Sequence, residues 1–387
     1  MQDRGKISAG RVSGWLYFRP AWGNITFVQK AVLLMVGFLL LGSAVIPAQA
    51  AFTMLQVFGD SISSMTDNPS PGQYYYGQRY SNGRVWVEVL AQRQGLTLYP
   101  TNNWSYFGNT STSLVTSVAS FTAPSGVTMS NILFVIWVNN ADLFYPAQNS
   151  STNLHEWTNA MNISLTNHFK AITNLYQKGA RTLIMPNAVD LSSIPQFNSS
   201  SYTNFVHRMC TNYNLAFTGI LNRARTNSNY SGLTIIMPDF FTLLTNIIAY
   251  PTNYTVTNAL SGGHSIDVIY GPLTDKTTNG PGTNYIFWDR TDPTAKVHMW
   301  MANLTQQLLT PACIDQLVPF DGSNRLDLAS VPIGQNGLVL GCTNLCMSGW
   351  KTNATFVGTN LTQSVWVTNS GPQWFYRLKY LYSWTWP

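Results

Sequence analysis

Short apolar runs alternate with long amphipathic stretches from about residue 53 to residue 309, and this rhythm limits the chain more than any other feature. "FTMLQVFGD", "NILFVIWV", "RTLIMP" and "GLTIIMP" are too short for buried helices and are bounded by Gly, Pro, Asn or Asp, which predicts strands. Between and after them, "GRVWVEVLAQRQG" closes at Gly95 and "NLHEWTNAMNISLTNHFKAITNLYQKG" closes at Gly179, while "YTNFVHRMCTNYNLAFTGILNRAR" and "PTAKVHMWMANLTQQLL" carry the same helical period. Strands and helices alternating at these lengths imply βαβ crossovers, a mostly parallel sheet and helices on both faces, an α/β/α sandwich. Ligands in such sheets sit beyond the carboxyl ends of the strands.

After about Thr310 the helical period stops. "LDLASV", "LVLGC", "SVWVTN" and "WFYRLKYLYSW" read as short strands between Gly, Asn and Ser turns, which predicts a small β-sandwich-like module over residues 311–387 behind a domain over 51–310.

The first 50 residues read differently. Arg4, Lys6, Arg11, Arg19 and Lys30 precede the apolar run "AVLLMVGFLLLGSAVI", and Ala48 and Ala50 supply the small residues of a cleavage site, so a signal peptide cut after Ala50 is expected, with a secreted or periplasmic product. An uncleaved anchor is the alternative, although the run is short for a membrane span. These 50 residues hold five basic groups and one acid, so removing them takes four charges from a formal +6 and leaves +2. The basic balance belongs to the leader, and a nucleic-acid partner is not expected. With only 9% charged and 13% aromatic residues, the remainder suits an exported globular protein with a polar, uncharged exterior. Export permits disulfides. Cys342 and Cys346 bracket a short turn that could join them or let either reach Cys313, whereas Cys210 lies in a helical pattern and is expected as a buried thiol.

"VFGDSISS" places Ser61 at the end of the first strand, before a turn into helix, where backbone amides can help hold an oxyanion. An Asp-Ser helix cap would look the same. Four blocks in order, "FGDS", "NWSYFGNTS", "WVNNADLF" and "FWDRTDPT", resemble the GDSL family of SGNH hydrolases, especially its lipase, esterase and haemolysin-like members, over residues 53 to 309. The resemblance implies a flavodoxin-like α/β/α SGNH fold, carboxylic ester hydrolysis through a seryl acyl-enzyme, Ser61 as nucleophile and the N–H of Gly108 in the oxyanion hole.

Two blocks depart from the family. Its Gly-x-Asn-Asp reads Asn139-Asn140-Ala141-Asp142 here, so Ala141 stands at the donor's position and Asn140 could serve only with the loop shifted by one residue. Its Asp-x-x-His reads Asp289-Arg290-Thr291-Asp292: Asp289 matches the partner of the base, and Asp292 replaces the histidine. An ordinary carboxylate is a feeble base toward a serine hydroxyl and, once ionised, has no proton for the leaving alcohol. Three readings compete. Asp292 followed by Pro293 could cap the last helix in a retired site; His298 could act as a displaced base; or Asp292, buried beside Asp289, could form a carboxylate pair sharing a proton.

His155, His168 and His207 lie in helical patterns with structural roles expected, and His264 lies in a Gly-rich loop that could turn toward the cleft. Tyr74, Tyr75, Tyr76 and Tyr80 are expected near the mouth, and "IMPNAVDLSSIPQF" as another wall. The expected partner is an ester, either an acyl lipid or an acetylated glycan, with no metal or nucleotide cofactor, and the C-terminal module is a candidate for contact with carbohydrate or a cell surface. The competing class is a binding protein that keeps the cleft and has lost its base.

Overall fold

Two six-residue runs, MLQVFG and ILFVIW, are buried along their whole length, as strands covered on both faces must be. They form β1 (Met54–Gly59) and β2 (Ile132–Trp137), paired in parallel with Gly59 opposite Trp137. This computed structural model describes residues 52–68, 74–149, 152–343, 349–368, 374–382 and 384. The expected leader, Cys346 and the turn before it lie outside the described residues.

β3 (Thr182–Ile184) and β4 (Thr234–Ile236) complete a four-stranded parallel sheet in the order β1-β2-β3-β4. Among the described residues, seven α-helices accompany it: α1 (Trp86–Arg93), α2 (Ser111–Ser120), α3 (Asn139–Gln148), α4 (Leu154–Gln177), α5 (Thr203–Thr226), α6 (Phe240–Ala249) and α7 (Ala295–Leu309). A large apolar core runs between sheet and helices, with Trp86, Trp137, Phe58 and Phe134 fully buried. The architecture is the expected α/β/α one.

One edge is irregular. Residues 103–106 run along the free side of β1, Val57 bridging Asn103 in parallel and the Trp104 N–H donating to the Val57 carbonyl at 2.9 Å. The segment is too brief to pair as a full strand, but it occupies the place of one. Gly59 makes this possible, because a Cβ there would lie 2.7 Å from both Ser105 Oγ and Ser63 Cβ. The edge then delivers the loop carrying Gly108 to the carboxyl end of β1. On the other side of β1, α3 starts directly after β2.

Asp142 joins these two deliveries. Its Oδ1 accepts from the Ser111 N–H and hydroxyl, both at 3.0 Å, at the start of α2, and its Oδ2 accepts from Ser164 Oγ on α4 at 2.6 Å. Ser164 Oγ also pairs with Tyr213 Oη at 2.8 Å. His168 is fully buried in the same network, its Nδ1 2.8 Å from the Ser164 carbonyl oxygen. Its role is structural.

Beyond α7, β7 (Cys313–Phe320), β8 (Ser323–Ala329), β9 (Asn336–Cys342), β10 (Lys351–Val357), β11 (Thr362–Thr368) and β12 (Phe375–Tyr380) form two antiparallel sheets, ordered β10-β9-β12 and β11-β8-β7. They share a small core that includes Leu326, Leu328, Val339, Val365 and Val367, which makes the module sandwich-like. It meets α1, where the Ile333 N–H donates to the Arg93 carbonyl at 3.3 Å and the Arg93 guanidinium lies 5.3 Å from the Tyr382 ring centroid. Cys210, Cys313 and Cys342 are free thiols, so Cys313 is not bridged as one of the expectations allowed. A short hairpin, β5 (Leu260–Ser261) with β6 (His264–Ser265), stands apart from both larger units' sheets.

Asp142→Ala leaves the donors on α2 and α4 without their acceptor, and unsatisfied groups of this kind cost roughly 1–3 kcal/mol each. Urea unfolding is expected to show a loss of about 2–4 kcal/mol, with part of any activity lost because Gly108 and Asn140 are positioned through α2 and α3.

Candidate active site

The carboxyl end of β1 passes into a single turn of 3₁₀-helix, Ser61–Ser63, and not into a longer helix as the sequence pattern suggested. Asp60 caps this turn, its Oδ1 accepting from the Ile62 N–H at 3.2 Å. Asp60 does the capping, and Ser61 is left facing a cavity of about 330 Å³. Ser61 and Asp60, Gly108 on the edge loop, Asn140 and Phe144 on α3, and Val189, Leu191 and Ile194 after β3 line it. The wall after β3 is the one expected from "IMPNAVDLSSIPQF".

Ser61 Oγ donates to Asp292 Oδ1 at 3.0 Å, within the protein and out of bulk water. Asp292 is 1% exposed, and its other oxygen accepts from Thr291 Oγ1 at 2.7 Å. Burial, first of all, and then the charge of Asp289 push the Asp292 carboxyl well above the ordinary range. Asp289 is differently held. Its Oδ1 accepts from the N–H groups of Thr291 at 3.0 Å and Asp292 at 2.9 Å, and its Oδ2 from Tyr75 Oη at 3.1 Å. Burial raises it too, against the pull of these donors. The two carboxylates are linked through the Asp292 N–H and the Thr291 hydroxyl, which lies 3.1 Å from Asp289 Oδ1.

Two other readings of the Asp292 substitution need correction. Asp292 does not cap the last helix: α7 begins at Ala295 with Thr294 in the N-cap position, because the chain first makes a tight turn in which the Asp292 carbonyl accepts from the Trp288 N–H at 2.9 Å. Nor is His298 presented to Ser61. It lies one turn into α7 with 0% exposure, and its Nδ1 accepts from the Trp86 N–H at 3.3 Å, so it serves the start of α1. Burial lowers it to about 3, which keeps the ring neutral.

Gly108 and Asn140 are brought to the same cavity as Ser61. Gly108 adopts φ +73°, a left-handed conformation that turns the loop back toward β1. The start of α3 at Asn139 puts both Asn140 and Ala141 in the wall. Asn140 is fixed at both ends, Oδ1 accepting from the Val189 N–H at 3.0 Å and Nδ2 donating to Asp60 Oδ2 at 3.4 Å. Asp60 is pushed up to about 7, chiefly by burial. Sequence reasoning missed Asp60 and Thr291 as site residues, and it valued Tyr75 for its ring where the structure uses its hydroxyl. His264 is exposed in a separate groove, and His207 pairs with Asp190 at 2.6 Å behind the wall.

Residues 55–305 match the family model described as GDSL-like Lipase/Acylhydrolase. A curated relative, the thermolabile hemolysin of Vibrio parahaemolyticus serotype O3:K6 (strain RIMD 2210633), is 22% identical over 247 residues, which are 60% of this chain and 56% of that protein, so the chain spans little more than half of that relative's length. Among solved structures, the acetylxylan esterase Axe2 from Geobacillus stearothermophilus is 13% identical with a TM-score of 0.39, covering 66% of this chain and 94% of its own. LAE5, an alpha/beta hydrolase enzyme from the metagenome of Lake Arreo, Spain, is 12% identical with a TM-score of 0.39 over 66% of this chain and 94% of its own.

The raised carboxyls set a pH dependence. A folded-state value above the unfolded one means that the native protein holds the extra proton, so this stabilisation is complete below the ordinary carboxylate range and is lost as pH rises through the folded value, about 7 for Asp60. The melting temperature is expected to fall between pH 5 and pH 8.5. Asp292→Asn, which needs no proton to stay neutral, is expected to flatten that fall when the two proteins are scanned side by side.

Proposed function

The chain belongs to the GDSL-like lipase/acylhydrolase family, and on that premise we propose that it hydrolyses carboxylic esters through an acyl-enzyme on Ser61, with Asp292 as the proton acceptor. The observation that carries this reading is the 3.0 Å bond from Ser61 Oγ to Asp292 Oδ1 at the wall of an apolar cavity.

An ordinary carboxylate fails as a base for two reasons, its weakness and its inability to hold the proton for the leaving group. Burial beside Asp289 addresses both. As burial and the Asp289 charge raise its value, Asp292 gains basicity toward the serine hydroxyl and, once protonated, retains the proton long enough to deliver it. In the first half-reaction Asp292 takes the Ser61 proton as Oγ bonds to the ester carbonyl carbon, and the carbonyl electron pair moves onto oxygen. The Gly108 N–H and the Asn140 side-chain amide are assigned to that oxyanion, a donor of this kind contributing about 3 kcal/mol. The intermediate collapses by breaking the bond to the alcohol, which leaves with the proton from Asp292. Water then adds to the acyl-enzyme by the same route, returning Ser61 and releasing the acid.

Asp289 is a positioning residue in this scheme. Its bonds to the Thr291 and Asp292 N–H groups fix the turn, and its charge keeps the Asp292 carboxyl high. The cavity wall of Ile62, Phe144, Val189, Leu191 and Ile194 suits the acyl part of the substrate. Residues 1–50 are read as an export leader, which would place the mature enzyme outside the cytoplasm.

The reading is tested by labelling residues 51–387 with a fluorophosphonate probe and by turnover of short-chain p-nitrophenyl esters. Ser61→Ala is expected to abolish both. Asp292→Asn is expected to lower kcat/KM by roughly 10²–10⁴-fold, and the wild-type kcat/KM to rise with pH as Asp292 ionises. His298→Gln is expected to keep the labelling while costing about 1 kcal/mol of stability for a poorer acceptor to the Trp86 N–H. A folded wild-type protein that neither labels nor turns over would refute the hydrolase reading in favour of a ligand-binding one.

A further inference from the structure

A second recess lies on the other side of the loop that carries Asp289 and Asp292. It measures about 290 Å³ and is lined by Asn198, His264, Ser265, Asp267, Tyr270 and Arg290, among others. Its relation to the first cavity is set by alternation along the chain. Thr291 and Ile194 line the cavity of Ser61, whereas their neighbours Arg290 and Pro195 line the second recess. The Gln196 N–H donates to the Arg290 carbonyl at 3.0 Å, tying the two loops into one ridge with an apolar cavity on one side and a polar recess on the other.

Arg290 dominates the polar side. Its guanidinium carbon lies 4.4 Å from the centroid of the Tyr270 ring, and both residues are exposed. Among the described residues the guanidinium makes no hydrogen bond or ion pair, so its N–H donors are available to a ligand. Of the other charged groups facing it, the Asp267 carboxylate interacts with the Arg290 charge and offsets part of it. Asp267 is buried and its Oδ1 accepts from the Tyr270 N–H at 2.6 Å; Lys276 donates to the Ile269 carbonyl; His264 faces the recess from β6. A stacked guanidinium with free donors recognises a planar or tetrahedral oxyanion, and the serine, asparagine and tyrosine around it suit hydroxyl groups.

We infer that this recess is the subsite for the alcohol part of the substrate, and that the alcohol is a sugar or polyol carrying a carboxylate or phosphate bound by Arg290. The inference rests on Ser61 as the reacting group, since the ridge puts an acyl chain and its alcohol on opposite sides of the Asp292 loop. It goes beyond ester hydrolysis by naming a charge for the leaving group.

Binding separates this inference from the catalytic one, because it is measured on the Ser61→Ala protein. Methyl β-D-glucuronoside, methyl β-D-glucoside, sn-glycerol 3-phosphate and glycerol would be titrated with ligand-detected NMR. At least tenfold tighter binding of one anion than of its neutral counterpart is expected, with that preference lost in Arg290→Ala and inverted in Arg290→Glu. Preference for the glucuronoside would identify an acidic sugar, and preference for glycerol phosphate a phosphorylated polyol. Equal affinity for charged and neutral probes, a preference that survives Arg290→Ala, or no binding of either anion would overturn the subsite, whatever the labelling of Ser61 shows. Arg290 is exposed, so its variants are expected to melt with the parent, and a melting scan checks that they fold.

Discussion

A serine hydroxyl bonded to a buried carboxylate, 231 residues away in sequence, is the interaction on which the arrangement of this site depends. It requires the end of β1 and the turn before α7 to meet, and almost every polar contact nearby holds one or the other in place. Asp60 and Asn103 anchor the serine turn, through the Ile62 N–H and the Ser63 carbonyl respectively. Asp289 and the Trp288 N–H anchor the aspartate turn. Buried carboxylates at Asp60, Asp289 and Asp292 are costly together when ionised, and the proteins that tolerate such clusters hold protons in them. Burial of these three carboxyls beside Ser61 therefore favours their protonated forms.

The layers of the fold were legible from sequence because they follow from periodicity. β1 and β2 read as uninterrupted apolar runs, and α4 and α5 as 3.6-period stretches that end near Gly179 and after Arg225. What escaped has physical reasons. Residues 103–106 form an edge through a few hydrogen bonds from loop-like residues, with no alternation to see. α3 follows β2 after a single residue and contains Pro146, so its sequence reads as a loop. α2 is rich in Ser and Thr, which are poor helix signals, and it is held by packing and by Asp142.

The site was legible by position and not by role. Ser61, Gly108 and Asn140 are gathered at one cavity because the end of β1, the loop before α2 and the start of α3 all lie at the carboxyl edge of the sheet. That convergence follows from topology, which the strand–helix alternation encodes. The fate of Asp292 was not encoded in the same way. Asp followed by Pro is a good helix start, and only the competing turn closed by Trp288 moves the cap to Thr294 and turns the carboxylate inward. Tertiary contact overrode the local signal. His298 misleads for the opposite reason, since its polarity suggests chemistry while its Nδ1 answers the unsatisfied N–H at the start of α1.

The change from histidine to aspartate also redefines what the neighbouring carboxylate can do. Beside a histidine, an aspartate orients the ring and stabilises its positive charge. Beside Asp292 the charge of Asp289 has the reverse effect, destabilising a second negative charge and raising the pKa of the group it adjoins. In the proposed mechanism the same residue at the same position thus makes a weak base stronger, provided that its own charge is secured. Two backbone N–H groups and the Tyr75 hydroxyl supply that security. On the proposed mechanism, loss of Tyr75 or Thr291 would therefore act on Ser61 through two carboxylates in series, by weakening the hold on the Asp289 charge that raises Asp292.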